Sequence, residues 1–331
     1  MFISSKKDMT AELGKKSHSG TLVGYILGFI VLFNTGFQPI INNGRPGDLG
    51  ALLFTFITVL VEFGCITPVL LVENYLNDKK VQHFPISMDT WKSYWKRFVG
   101  IGIIFAVSTY LVILGYSNTD NISGSVAVRL QPVSMMIIGY FFLNEKITKS
   151  QMVFTAVMLL SIYHVSTRGT WLLNEFSFGI VFLLIAPVLW NIGHTIVKPL
   201  LEKGIVTSPQ VVFLRTGISS IILGTFYVIV DGGRTAWQIT SPVYFIFMFL
   251  MGINYTMQHY FMYKGFKHLD LSIFTAIIIP SPIVTAIFAT LFLNDSFEPY
   301  HLIGMIGAFI GLYGLLYSKL KAKKKDNTRH N

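Results

Sequence analysis

The sequence predicts an all-α integral membrane protein of ten transmembrane helices arranged as two inverted five-helix repeats, and three observations carry that expectation. The first is composition. Of 331 residues, 52% are hydrophobic and 13% charged, with a mean hydropathy of +0.58, whereas soluble domains carry about 25% charged residues. The second is an internal repeat. Shifted by 150 residues, Gly115, Asp120, Pro132, Ile137, Phe142, Leu143 and Asn144 fall without a gap on Gly265, Asp270, Pro282, Ile287, Phe292, Leu293 and Asn294, and Glu145 falls on Asp295. Upstream, Gly102 and Tyr110 meet Gly252 and Tyr260, so the repeating unit is about half the chain. The third is the one-sided distribution of lysine and arginine along the chain.

Taken in order, residues 1–18 form a polar tail with Lys6, Lys7, Lys15 and Lys16, expected on the cytoplasmic side. The first repeat, 19–168, begins with helix 1 at about 19–41, whose Gly20, Gly24 and Gly28 recur every four residues and let another backbone come close. Residues 21–41 are long enough to span, so they read as a helix and not as a cleaved leader. Helix 2 follows at about 50–72 with Glu62 near its middle. In the loop after it, Trp91, Tyr94 and Trp95 alternate with Lys92, Lys96 and Arg97, a pattern suited to the headgroup level. Helices 3, 4 and 5 are expected at about 97–116, 121–143 and 150–168. The second repeat, 169–318, supplies helices at about 176–197, 208–230, 242–263, 271–293 and 300–318, and 319–331 reads as a basic, unstructured cytoplasmic tail.

With the N-terminus in the cytoplasm, 21 of the 26 lysines and arginines lie on cytoplasmic segments and three, Arg45, Arg168 and Arg234, lie outside; Arg129 and Arg215 sit within helices. That bias places both termini inside and accounts for the net charge of +10 without invoking nucleic acid. Five helices per half turn the second copy upside down, and the charges follow. Lys146 and Lys149 become Ser296 and Pro299 at the repeat offset, while Leu114 and Ser117 become Lys264 and Lys267. Cys65 is the only cysteine, so there is neither a disulfide framework nor a cysteine metal site. No phosphate-binding loop, nucleophile elbow or zinc signature is present, so no cofactor, metal or catalytic residue is expected.

Each repeat closes its fourth helix with a short polar turn: Leu143-Asn144-Glu145-Lys146-Ile147-Thr148 followed by Gln151, and Leu293-Asn294-Asp295-Ser296-Phe297 followed by His301 and Gly304. Two five-helix halves with such turns resemble the EamA-type drug/metabolite transporters over roughly residues 19–318. Asn stands where that family usually has Gly in both turns, and Asp stands for Glu in the second. The resemblance implies that the first four helices of each half line a cavity while helices 5 and 10 lie outside it. It also matches Trp190 to a tryptophan common in helix 6, and Arg215 to an arginine often found in the corresponding helix of the second half. The turn carboxylates Glu145 and Asp295 are expected to cap the following helix.

Ionisable residues inside the bilayer are costly, at least about 2.5 kcal/mol each on insertion scales, and therefore face a cavity or a partner. Arg129 lies two turns into helix 4 beside Gln131 and Pro132, with Ser125 on the same face. It reads either as a guanidinium that grips a carboxylate or phosphate bidentately or as the structural partner of Glu62. Glu62 in turn reads as a proton-coupling carboxylate or as half of an ion pair with Arg215 or Arg129. Helix 6 presents Trp190, Asn191 and His194 on one face, continued by Lys198, and helix 8 presents Asn254 with Gln258 and Tyr255 with His259 at four-residue spacing. These polar groups read as cavity lining or as interhelical hydrogen bonds. His194 and His259 lack a third ligand at readable spacing and are not expected to hold a metal. Gly304, Gly307, Gly311 and Gly314 make a smooth stripe on helix 10, suited to close packing within one chain, with homodimerisation as the alternative.

Together these readings anticipate a cell-membrane carrier that moves a small organic metabolite by alternating access, the two halves rocking about a site between them. Arg129 points to a substrate bearing a carboxylate, such as an amino acid. An exchanger of phosphorylated or nucleotide-sugar-like solutes is the alternative within transport; an integral membrane enzyme or a lipid-handling protein is the alternative outside it.

Overall fold

The computed structural model describes residues 18–76, 85–134, 136, 147–266, 268–269 and 271–329. Among these the regular elements are helical: α1 (His18–Gly44), α2 (Ala51–Leu76), α3 (Met88–Ser117), α4 (Asn121–Val128), α5 (Lys149–Ser166), α6 (Gly179–Glu202), α7 (Ser208–Asp231), α8 (Pro242–Gly265), α9 (Leu271–Ile278), α10 (Ser281–Leu293) and α11 (Pro299–Arg329), with short 3-10 turns at Leu173–Glu175 and Ala236–Thr240. Seven described stretches are long and apolar enough to cross a membrane. Polarity is arranged for lipid: Leu22, Ile26, Phe29, Ile103, Val107, Ile221 and Ile303 are exposed, while Gln38, Glu62, Asn191, Arg215 and His259 are buried. Residues 1–17 of the expected N-terminal tail, and residues 137–146 with the expected turn at Glu145, lie outside the described residues.

Helix starts are written in the sequence as caps. Ser87 accepts from the Thr90 N–H at 3.2 Å to open α3, Asp120 accepts from the Ser123 N–H at 2.7 Å to open α4, and Thr148 and Gln151 form a reciprocal capping box on α5. The Ser87 cap corrects the expected start of helix 3, because the headgroup-level segment with Trp91, Tyr94 and Trp95 is already helical. The last helix likewise runs on to Arg329 through the tail expected to be unstructured. Extending an existing helix adds a hydrogen bond per residue without a new nucleus, and alanine and lysine are good helix formers.

The larger correction concerns 121–143 and 271–293, each expected as one helix. The first breaks at Arg129 and Leu130, the second at Ile279 and Pro280. Pro132 and Pro282, equivalent at the offset of 150, lack the N–H that would bond the residue four back, and Pro280 adds a second such gap. Tighter bonds replace the helical ones: Arg129 N–H to Val126 O and Leu130 N–H to Ala127 O, both 3.1 Å, and Ile283 N–H to Pro280 O at 2.9 Å.

The packing maps onto itself when residues are exchanged at that offset. α3 lies along α6 and α1 along α8; α2 packs on α8 and α3 on α7; α2 meets α7, and α5 meets α11. The glycine stripe of α11 is used in the last of these contacts. A Cβ at Gly304, Gly307, Gly311 or Gly314 would strike Val165, Ser161, Met158 or Phe154 of α5. On α1, Gly24 and Gly28 give the same close approach to Leu269 and Ile277.

Candidate functional site

Two polar assemblies occupy the interior. The first joins α2, α7 and α8. Arg215 Nη2 donates to Glu62 Oε1 at 2.7 Å, and His259 Nδ1 stands 2.6 Å from the same guanidinium nitrogen and 2.8 Å from the same carboxylate oxygen. The proton on Nδ1 decides whether the ring donates to the carboxylate or accepts from the guanidinium. Phe105 of α3 lies under the guanidinium, 4.3 Å from its ring centre, and holds it by cation–π attraction. Glu62 and Arg215 are 2% and 3% exposed, so each neutralises a charge that the other could not afford to bury alone. His194 completes the group: Tyr263 OH is 3.4 Å from its Nδ1, and its ring packs edge-on against Phe105 and Tyr263.

The second assembly surrounds the break in the 121–134 segment. Asn191 Nδ2 donates to the Gln131 carbonyl at 2.8 Å and to Ser134 Oγ at 2.7 Å, and Gln131 Nε2 donates to Asn191 Oδ1 at 3.1 Å. These bonds stitch the break to α6 and occupy both side chains. At the equivalent break, Thr285 Oγ1 is 2.9 Å from the Gly36 carbonyl of α1 and 3.2 Å from that of Ser281. Trp190 packs between two apolar clusters beside this site.

Arg129 stands at the first break as the residue that ends α4. Its Nε is enclosed without a hydrogen-bond partner, and among the described residues no carboxylate pairs with it. Its electrostatic neighbour is the Tyr116 phenol, 1% exposed. Tyr255, whose own hydroxyl is buried and unpartnered, lies within electrostatic reach of both Tyr116 and Glu62. Arg129 Nε and the Tyr255 hydroxyl are thus two enclosed donors without partners, and Tyr255 lies within electrostatic reach of the Glu62–Arg215 assembly. Tyr116 was not singled out by the sequence, because a tyrosine near a helix end reads as an interface anchor.

The remaining residues fall elsewhere. Gln258 bonds Gln38 of α1 side chain to side chain, and Asn254 Nδ2 donates to the Asn34 carbonyl at 2.9 Å, so both tie α8 to α1. Asp295 corrects its expected capping role: it accepts from Asn121 Nδ2 at 2.6 Å and joins the two turns at one end of the bundle. Asn294 in that turn adopts a left-handed conformation, φ +55°, which asparagine tolerates and which explains how it can stand for glycine. At the same end, the Glu298 N–H donates to His301 Nδ1, leaving Nε2–H to donate to Asp120 at 3.1 Å. Burial opposes ionisation of Asp120, but the bonds from His301 and Ser123 outweigh it and hold the carboxyl below its usual range.

The chain is similar to known proteins in two ways. A family model described as the EamA-like transporter family matches residues 21–167 and again 177–317. Among 28 matching solved chains is one titled only "Crystal structure of protein", with a TM-score of 0.60 over 92% of this chain and 98% of that one at 13% identity, a likeness of fold alone. No curated protein matches the chain. With its two matched stretches covering most of its length, the chain belongs to the EamA-like transporter family, a family of multi-pass membrane proteins.

Proposed function

We propose that the protein is a ten-helix carrier of the cell membrane, built of inverted repeats at 19–168 and 169–318 with both termini in the cytoplasm, and that it moves a small carboxylate-bearing metabolite by alternating access. The packing that maps onto itself under the repeat offset supports two exchangeable halves. The paired breaks at 129–130 and 279–280 place irregular backbone inside the bundle, where it is tolerated only against protein or a water-filled cavity. Arg129 carries the substrate assignment. A half-buried guanidinium among apolar helices, without a carboxylate among the described residues and with an enclosed, unpartnered Nε, suits an anion. Phosphorylated solutes ask for more than one uncommitted cation, and Arg215 is already committed to Glu62.

Reconstitution into liposomes tests this with a panel of radiolabelled amino acids and choline as the cationic control. Arg129→Lys replaces a planar fork by a point charge and is expected to lower uptake about tenfold; Arg129→Ala is expected to approach a hundredfold, within the ~1.5–3 kcal/mol of hydrogen bonds to a charged group. Choline transported at the same rate by wild type and Arg129→Ala, with no amino acid carried by either, would overturn the assignment.

A further inference from the structure

We infer that the basic start of α3 and the end of α6 beside it form a binding site for the phosphodiester headgroup of an anionic phospholipid. Along most of their length these helices are held together by glycines: Gly115 meets Leu183, Gly193 meets Phe105, and Gly179 abuts the Asn118 carbonyl. Toward the other end Phe98 and Ile101 of α3 share one buried apolar cluster with Val197 and Leu200 of α6, while Gly100 faces outward, where a Cβ would meet nothing within 4 Å. Over this outward surface the two helices leave an open cleft of about 430 Å³, lined by Lys96, Arg97 and Gly100 of α3 and Thr195, Ile196 and Pro199 of α6.

The occupant follows from charge and from what lies above and below the cleft. Two adjacent cations stand at its rim, and both are exposed. Trp91, Tyr94 and Trp95, the aromatic side chains of the headgroup layer, sit on the same turns, with Lys96 over the Trp95 ring at 5.8 Å and Arg97 over the Tyr94 ring at 5.5 Å. Beyond the cleft the same outward helix faces are apolar: Ile103 and Val107 follow Gly100, and Val188 and Ile192 precede Ile196, at three- and four-residue spacing, and all four are exposed. A soluble phosphate would use only the rim. A phospholipid uses all three levels: phosphodiester on Lys96 and Arg97, glycerol beside Gly100, and an acyl chain along the apolar faces. This site is separate from Arg129 and stands whatever the carrier's substrate is. Because α3 and α6 come from different matched stretches of the family model, a lipid seated between them binds both halves at once.

The test uses the full-length protein in a neutral detergent, titrated with dioleoyl-phosphatidylglycerol, dioleoyl-phosphatidylcholine or glycerol phosphate while thermal unfolding is followed. Phosphatidylglycerol is expected to raise the melting temperature in a saturable way and phosphatidylcholine to give little shift. In Lys96→Gln/Arg97→Gln the midpoint of the phosphatidylglycerol titration should move up at least about tenfold. Lys149→Gln/Lys264→Gln, which removes two exposed lysines that do not line the cleft, should leave it unchanged. Gly100→Leu keeps both cations and fills the cleft, and should weaken binding comparably. Equal stabilisation by phosphatidylcholine, equal loss in the Lys149/Lys264 variant, or unchanged binding in Gly100→Leu would each overturn the proposal. So would glycerol phosphate stabilising the protein as well as the lipid does, since the site would then take a free phosphate.

Discussion

Arg129 and Arg215 both lie among apolar helices and each has an enclosed guanidinium nitrogen without a partner, yet among the described residues only Arg215 meets a carboxylate. Arg215 is spent: Glu62, His259 and the Phe105 ring account for its charge within 4.3 Å. Arg129 has a phenol for a neighbour and an enclosed Nε with nothing to bond. Among the described residues Arg129 has no counter-charge, and such a cation gives the fold no stability of its own, since replacing it by an apolar side chain would remove a desolvation cost. The missing counter-charge is what singles out Arg129, and not Arg215, as the proposed ligand-binding cation.

The largest expected effect lies on the paired arginine. Glu62→Ala strands the Arg215 guanidinium and should cost about 3–5 kcal/mol, seen as lost expression and a lowered melting temperature. Replacing both partners, Glu62→Met with Arg215→Met, should recover most of that stability. A double variant as unstable as the single one would show that the pair does more than neutralise itself.

A smaller effect is expected where a pair sits at the surface of the bundle. Asp120, bonded by His301 and Ser123, has its carboxyl held below the usual range. A depressed carboxylate contributes stability that is complete above the ordinary aspartate value of about 4 and is lost as pH falls through the lowered one. Melting of the wild type against pH should therefore decline at the acid end, and Asp120→Asn should be less stable at neutral pH with a flatter acid limb. An unaltered acid limb in Asp120→Asn would remove this residue from the account.

How far the residues alone lead can be judged from the same elements. The offset of 150 sets Pro132 against Pro282, and both mark a break, but the apolar runs 121–143 and 271–293 read as unbroken because proline is tolerated inside membrane helices. Whether it kinks or interrupts depends on the backbone around it, here on Pro280 and on the bonds from Asn191 and Thr285. That Glu62 needs a cation is legible from its position in an apolar helix. Which cation it takes is not, because spacing along a helix says nothing about which helices face each other; α2 packs against α7, and so Arg215 takes it. Gln38 escaped notice for the same reason: its role is set by Gln258, far away in sequence. The glycine stripe of α11 announces close packing but not the partner, which is α5.

The central claim is that Arg129 is kept for a ligand and not for the fold. It is tested most directly by thermal unfolding of purified wild type and Arg129→Ala, each with and without a panel of carboxylate-bearing metabolites. The account predicts that Arg129→Ala melts no lower than wild type when no metabolite is present, and that the stabilisation given by a bound carboxylate, about 2.7 kcal/mol at a hundred times its Kd, disappears in the variant. An Arg129→Ala protein that melts well below wild type, and that a carboxylate still stabilises as much, would contradict it.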